Sequence, residues 1–208
     1  MAPLPGLNDQ DHFTYADYLT WPDDERWEII DGVAYPWNKT QAMSPGPGRS
    51  HQAVSRELLV LFATYLKGKP CHVYSAPFDV LFVSDVMQSD NYIETVVQPD
   101  LLVVCDASKL GAKGCIGAPD LIVEILSPAT GKKDITTKFD LYQRHAVKEY
   151  WLIQPDDQTV MIFKLQENGT YGAPDRYAVG DTIPVTLLGN LRINVNDVFA
   201  DMEILEDQ

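Results

Sequence analysis

Pro119-Asp120-Leu121-Ile122-Val123-Glu124-Ile125-Leu126-Ser127-Pro128 places five aliphatic residues around one carboxylate. An apolar run this short, bounded by Pro-Asp and Ser-Pro, reads as a central strand covered on both faces. Strand alternation puts Ile122, Glu124 and Leu126 on one face and Val123 and Ile125 on the other. Glu124 therefore stands where every neighbour needs burial. An unpaired carboxylate there costs several kcal/mol, so an Arg or Lys, a raised pKa or a metal ion must compensate it. A structural ion pair and a functional site both satisfy that demand.

Upstream, Pro99-Asp100 opens a second apolar run, and Val96 to Cys105 reads as a strand. The segment through Lys109, Gly111, Lys113, Gly114 and Gly117 is a plausible connection back to a neighbouring strand. Two carboxylates side by side on adjacent strands suit a hard divalent cation, because Mg²⁺ takes oxygen ligands and keeps several waters. Asp120 is the competing partner. It lies four residues before Glu124, roughly 13 Å away along an extended strand, too far to share one ion. Asp120 reads instead as a strand-start cap, and Asp100 with Glu124 is the preferred pair. Lys138 follows in the helix expected over Asp134 to His145, with Ile135 and Tyr142 at helical spacing beside it. It is either a solvated helix lysine or a cation whose stem runs along an apolar face towards Glu124.

The rest of the chain supplies the frame. Thr14 with Asp17 forms a capping-box pattern for a short helix ending before Pro22. Arg26 to Tyr35 reads as a hairpin turning at Asp31-Gly32. Lys39 to Arg49 is a Pro- and Gly-rich loop. Ser50 then caps a helix over about His51 to Lys67, with Val54, Leu58, Leu61, Phe62 and Leu66 on one face and Gly68 ending it. Strands are expected at Val73–Tyr74, Phe78–Val83 and Glu149–Ile153. Pro155-Asp156-Asp157 turns the chain into Thr159–Leu165, a second hairpin, and short strands run on to Phe199. This order is α/β or α+β with a mixed sheet.

Composition narrows the function. The 208 residues are 45% hydrophobic and carry a net charge of −14, which suits one globular domain and argues against coating nucleic acid or membrane by net charge. The charge is uneven: Lys109 to Lys148 holds seven basic and four acidic residues, a net +3 that leaves −17 elsewhere. DNA binding by that segment would be weak and steeply salt-dependent. No apolar run reaches the length of a spanning helix, and the polar start with Pro3 and Pro5 is unlike a signal peptide, so a cytoplasmic protein is expected. Cys71, Cys105 and Cys115 form no CxxC pair and no zinc spacing with His12, His51, His72 or His145. Cys105 reads as a small buried thiol, and no disulfide scaffold is expected. Serine-hydrolase and nucleotide-binding readings fail for want of GxSxG, GxGxxG or a Walker loop.

The quoted segments, with Asp134, Lys138, Tyr142, Val147-Lys-Glu-Tyr-Trp-Leu-Ile153, Trp27-Glu28-Ile-Ile-Asp-Gly32, the Pro47–His51 helix entry and the C-terminal hairpin, resemble the Uma-type family of restriction endonucleases. That family lies in the PD-(D/E)XK nuclease superfamily. The resemblance implies one domain over 1–208, with a restriction-endonuclease-like mixed sheet flanked by helices. Its core would span about 50–154 and a C-terminal β extension 155–208. It further implies Asp100, Glu124 and Lys138 as catalytic residues. Mg²⁺ or Mn²⁺ would be held by Asp100 and Glu124, with Glu28 as a third metal residue and the Ile125 carbonyl as a further ligand. The superfamily pattern wants Lys two residues after Glu124, where this chain has Leu126, and Lys138 is the implied replacement.

DNA is the implied substrate, cleaved by metal-assisted phosphodiester hydrolysis. The alternative is a non-catalytic binding or assembly module that keeps the fold, favoured by Leu126 and the acidic surface. His51, opening a helix, could offer its backbone amide to a phosphate, and Ser127 could touch substrate at the strand end. Both also have plain structural readings, as does His145 as a partner for a helix dipole. A homodimer is expected, since a duplex has two strands.

Overall fold

The computed structural model describes residues 12–22, 26–36, 48–83, 88–127 and 134–205. In chain order these form helix α1 (Tyr15–Tyr18), strands β1 (Trp27–Ile30) and β2 (Val33–Pro36), and helix α2 (Arg49–Leu66). Strands β3 (His72–Ser75), β4 (Val80–Leu81), β5 (Val96–Val97), β6 (Leu101–Val104), β7 (Leu110–Gly111), β8 (Gly114–Ile116) and β9 (Leu121–Ile125) follow. A π-helical turn (Asp134–Lys138) leads into α3 (Phe139–Arg144) and β10 (Glu149–Gln154). The chain ends with β11 (Thr159–Lys164), β12 (Asp175–Ala178), β13 (Thr182–Val185), β14 (Leu191–Asn194) and α4 (Val195–Val198). Most of the Lys39–Arg49 loop, the Pro47 helix entry, the Pro128–Gly131 loop, Lys132, Lys133 and the Met1–Gln10 segment lie outside the described residues.

The sheet that organises the molecule has the order β12-β11-β10-β9-β6-β3. Its central pair, β9 and β10, is parallel, and the other pairings are antiparallel. All five residues of β9 are buried, as expected of a strand covered on both faces. Val123 and Ile125 pack with Val54, Leu58 and Phe62 of α2, whereas Ile122 packs with Leu141 and Tyr142 of α3. Glu124 thus faces the α3 side. A second sheet, β2-β1-β5-β4-β8-β7, lies beside the first, and β13-β14 form a separate ribbon. The fold is α+β, with mixed sheets and few helices, in keeping with the expected class.

The local signals read as expected at several points. Asp17 Oδ2 accepts hydrogen bonds from both the amide and hydroxyl of Thr14, at 2.8 Å each. Asp31 and Gly32 both have positive φ, 51° and 77°, the backbone of the primed hairpin turn that joins right-twisted strands.

Four expectations need correction. α2 starts at Arg49 with Gly48 in the cap position, so Ser50 is inside the helix. Phe78–Val83 contributes only the two residues of β4. The continuous strand over Val96 to Cys105 is two strands in different sheets, β5 and β6, because the chain crosses between sheets at Gln98-Pro99-Asp100. Proline supplies no amide to a ladder, which makes this a natural place for pairing to stop. Finally, Cys105 is half-buried and disulfide-bonded to Cys71. The β3–β6 register, with His72 opposite Val104, sets Cys71 opposite Cys105 just beyond the paired residues. Cys115 is the buried free thiol, and burial pushes its pKa up to about 12.

Candidate active site

The β6–β9 register pairs Leu101 with Val123, so the next position outward sets Asp100 opposite Glu124. Opposite residues of an antiparallel pair share a face. Asp100 is held there by the Ile125 amide, which donates to its Oδ2 at 2.7 Å. His51 Nε2 lies 3.2 Å from the same oxygen. His51 comes from the first turn of α2, so it is the imidazole that reaches Asp100. Its Nδ1 is buried and has no hydrogen-bond partner among the described residues. A carboxylate accepts only, so Nε2 is the donor in this contact.

Glu124 is compensated in the way its surroundings demand. Lys138 Nζ donates to Glu124 Oε1 at 2.8 Å, and the Tyr142 hydroxyl donates to the same oxygen at 2.6 Å. Lys138 and Tyr142 are four residues apart across the junction of the π-turn and α3, so both reach the carboxylate from one helical face. The ammonium also lies 2.9 Å from Glu28 Oε1. Glu28, Glu124 and Lys138 are each no more than 3% exposed, so the charges meet away from bulk water. Lys138 is therefore a buried site cation, whereas Ile135 and Thr136 of the same π-turn are exposed.

Glu28 belongs to β1 of the second sheet, and its Oε1 also accepts the Gln98 amide at 3.0 Å. The Gln98 side chain donates to Asp79 Oδ1 at 2.8 Å and to the Tyr18 hydroxyl at 3.1 Å. Tyr15 and Tyr18 each donate to Asp79 from 3.3 Å. Burial raises the Asp79 pKa above the ordinary carboxylate range and raises both tyrosines. Sequence reasoning missed this polar chain. Its residues are distant in sequence and meet only because Gln98 sits where the chain crosses between sheets. Tyr142 was visible as a neighbour of Lys138, but spacing does not show where a hydroxyl points.

The other candidates separate clearly. Ser127 lies two residues beyond the end of β9 and is half-buried. Asp120 is a structural carboxylate: it accepts the Cys105 amide at 2.7 Å and pairs with Lys148 at 2.6 Å. His145 packs against Phe82 with ring centroids 4.5 Å apart and the planes tilted by 33°. Burial and then Arg144 lower its pKa, which disfavours the charged form at the helix end. Among the described residues, no three His, Cys, Asp or Glu side chains converge as a metal cage. Asp100 and Glu124 still fit a hard cation with few protein ligands: they are oxygen donors on adjacent strands, and Asp100 Oδ1 accepts no hydrogen bond from the described residues.

The family profile of Uma2, described as "Putative restriction endonuclease", matches residues 15–196. This chain belongs to the Uma2 family. A relative from Synechocystis, the uncharacterized protein slr1290, is 28% identical over 183 residues, covering 84% of this chain and 85% of its own length. The solved structure of a protein from Anabaena variabilis, described as a putative nuclease belonging to DUF820, superposes with a TM-score of 0.68 at 21% identity. That alignment covers 90% of this chain and 98% of the Anabaena chain and shows a shared fold. The Uma2 match takes in every element that builds the site, from Tyr15 to Tyr142. No helix among the described residues is long and apolar enough to cross a membrane.

Proposed function

We propose that this Uma2 member is a divalent-metal-dependent endonuclease that hydrolyses DNA phosphodiester bonds. The observation that carries the reading is the juxtaposition of Asp100 and Glu124 on adjacent strands, with Lys138 drawn from the next helix onto Glu124 at 2.8 Å. Asp100, Glu124 and the Ile125 carbonyl would hold Mg²⁺ or Mn²⁺. When bound, such an ion acidifies and orients a water and neutralises charge on the scissile phosphate.

The chain's own residues supply the rest. Lys138 carries its charge on a side chain long enough to serve both Glu124 and a developing charge on the phosphate, where a fixed cation is most effective in a dry site. Tyr142 keeps Glu124 oriented while the ammonium also serves the phosphate. His51 orients Asp100 through Nε2, and the amides of the first turn of α2 are suitable donors to a phosphate. Ser127, at the strand end, is a further candidate contact. A two-fold pair of chains would present one such site to each strand of a duplex.

The test is cleavage of supercoiled plasmid with Mg²⁺ or Mn²⁺ by wild type, Asp100→Ala and Lys138→Ala. Metal-dependent nicking lost in both variants is the expected result, and linear product at early times would support the pair. Loss with Asp100→Ala alone would keep the nuclease and remove the role of Lys138. A clean wild type that neither binds Mn²⁺ nor nicks would favour the alternative, a non-catalytic module that retains the fold.

A further inference from the structure

Glu28 is the third carboxylate of the site, and its surroundings differ from those of Asp100. It reaches in from the second sheet, is 1% exposed, and meets Lys138 Nζ at 2.9 Å and the Gln98 amide at 3.0 Å through the same oxygen, Oε1. Gln98 is itself fixed at its side chain by Asp79 and Tyr18. A rigid support behind a charged group points to orientation of that group's partner. We infer that Glu28 is a positioning residue that holds the Lys138 ammonium in the site, with Gln98 fixing Glu28, and that it is not a metal ligand.

The chemistry favours this division. Lysine is a flexible four-carbon chain ending in a point charge, and a single carboxylate leaves its direction poorly defined. Glu124 must both receive Lys138 and, in the proposed reaction, serve the ion. A second carboxylate, 2.9 Å from the ammonium and carried by a different sheet, gives it a fixed position without drawing on Asp100. The backbone amide of Gln98 makes that position independent of solvent, and the crossing between the two sheets carries it. The second sheet thus has a role in the site: it presents one carboxylate to a lysine donated by the first.

The inference rests on the nuclease reading, and Glu28→Gln separates the two. The variant keeps the shape and an acceptor oxygen while removing the charge. Calorimetric Mn²⁺ titration is expected to give a dissociation constant within twofold of wild type. Plasmid nicking is expected to lose at least tenfold in kcat with KM unchanged. In a Lys138→Met background, where nicking is already lost, the same change should lower the urea midpoint no further, although it lowers that midpoint in the wild type, because the ammonium it holds is gone. Mn²⁺ affinity weakened tenfold or more in Glu28→Gln would make Glu28 a ligand and overturn the inference alone. An equal fall of the urea midpoint in both backgrounds would also overturn it. A folded wild type that neither binds Mn²⁺ nor nicks would overturn this inference together with the nuclease reading. If Glu28→Gln does not fold, Glu28→Asp, which keeps the charge but withdraws it by one methylene, is measured in the same way with the same expectations.

Discussion

Glu124 Oε1 accepts two short hydrogen bonds, from an ammonium and from a phenol, and the two donors differ in what their removal costs. Tyr142 is fully buried, so Tyr142→Phe deletes one bond to a charged acceptor without exposing the site. Such bonds contribute about 1.5–3 kcal/mol, and urea unfolding is expected to show a loss in that range with the slope unchanged. Lys138→Met should cost more, since it leaves two buried carboxylates facing each other without their cation. His145 gives a residue-level expectation for pH. Its folded pKa lies below the ordinary histidine value, so below about pH 6.5 the unfolded chain takes up a proton that the folded ring resists. Stability should therefore fall as pH drops from 7.5 to 5.5, and His145→Gln should flatten that part of the profile. A slope unchanged in the variant would assign the dependence elsewhere.

The strands show what a sequence can and cannot disclose. β9 was legible because five consecutive buried positions leave a nearly unbroken apolar run, and a carboxylate inside it marks itself. The Asp31-Gly32 hairpin and the apolar face of α2 were legible for the same reason: each is a local pattern imposed by a local geometry. The break between β5 and β6 was not, since Val96 to Cys105 is apolar on both sides of a crossing that only the second sheet requires. The Gln98–Asp79–Tyr18 chain was hidden equally well, because ordinary surface residue types become a half-buried network only once two sheets meet. The Cys71–Cys105 bridge belongs with these, being set by the β3–β6 register and not by any cysteine spacing. It closes a loop with a sequence separation of 34, for which loop-closure entropy gives about 3–4 kcal/mol. Urea unfolding with and without reductant is expected to differ by an amount of that order. No difference would mean that the strand pairing holds the seam without the bridge.

For the molecule as a whole, acidity sets the terms on which it could meet DNA. The segment Lys109–Lys148 carries the positive balance of the sequence, but the described structure has already engaged its cations. Lys113 pairs with Asp90, Lys138 with Glu28 and Glu124, Arg144 with Asp31 and Lys148 with Asp120, while Lys109 donates to the Ala118 carbonyl. Lys132 and Lys133 are the two basic residues of that segment that lie outside the described residues. This changes the salt dependence expected from the sequence. Each phosphate neutralised by a cation contributes about −0.9 to the slope of log K against log salt. A surface whose lysines and arginine are mostly committed to carboxylates has few to offer. Binding of a short duplex, followed by fluorescence anisotropy in Ca²⁺ to forestall cleavage, is therefore expected to be weak, with a slope no steeper than about −2. Lys132→Ala with Lys133→Ala should remove most of that slope. A slope steeper than about −5 would require the observed ion pairs to open and hand their cations to the phosphates. Arg144→Ala and Lys148→Ala would then flatten it, and under the present structure they should leave it unchanged.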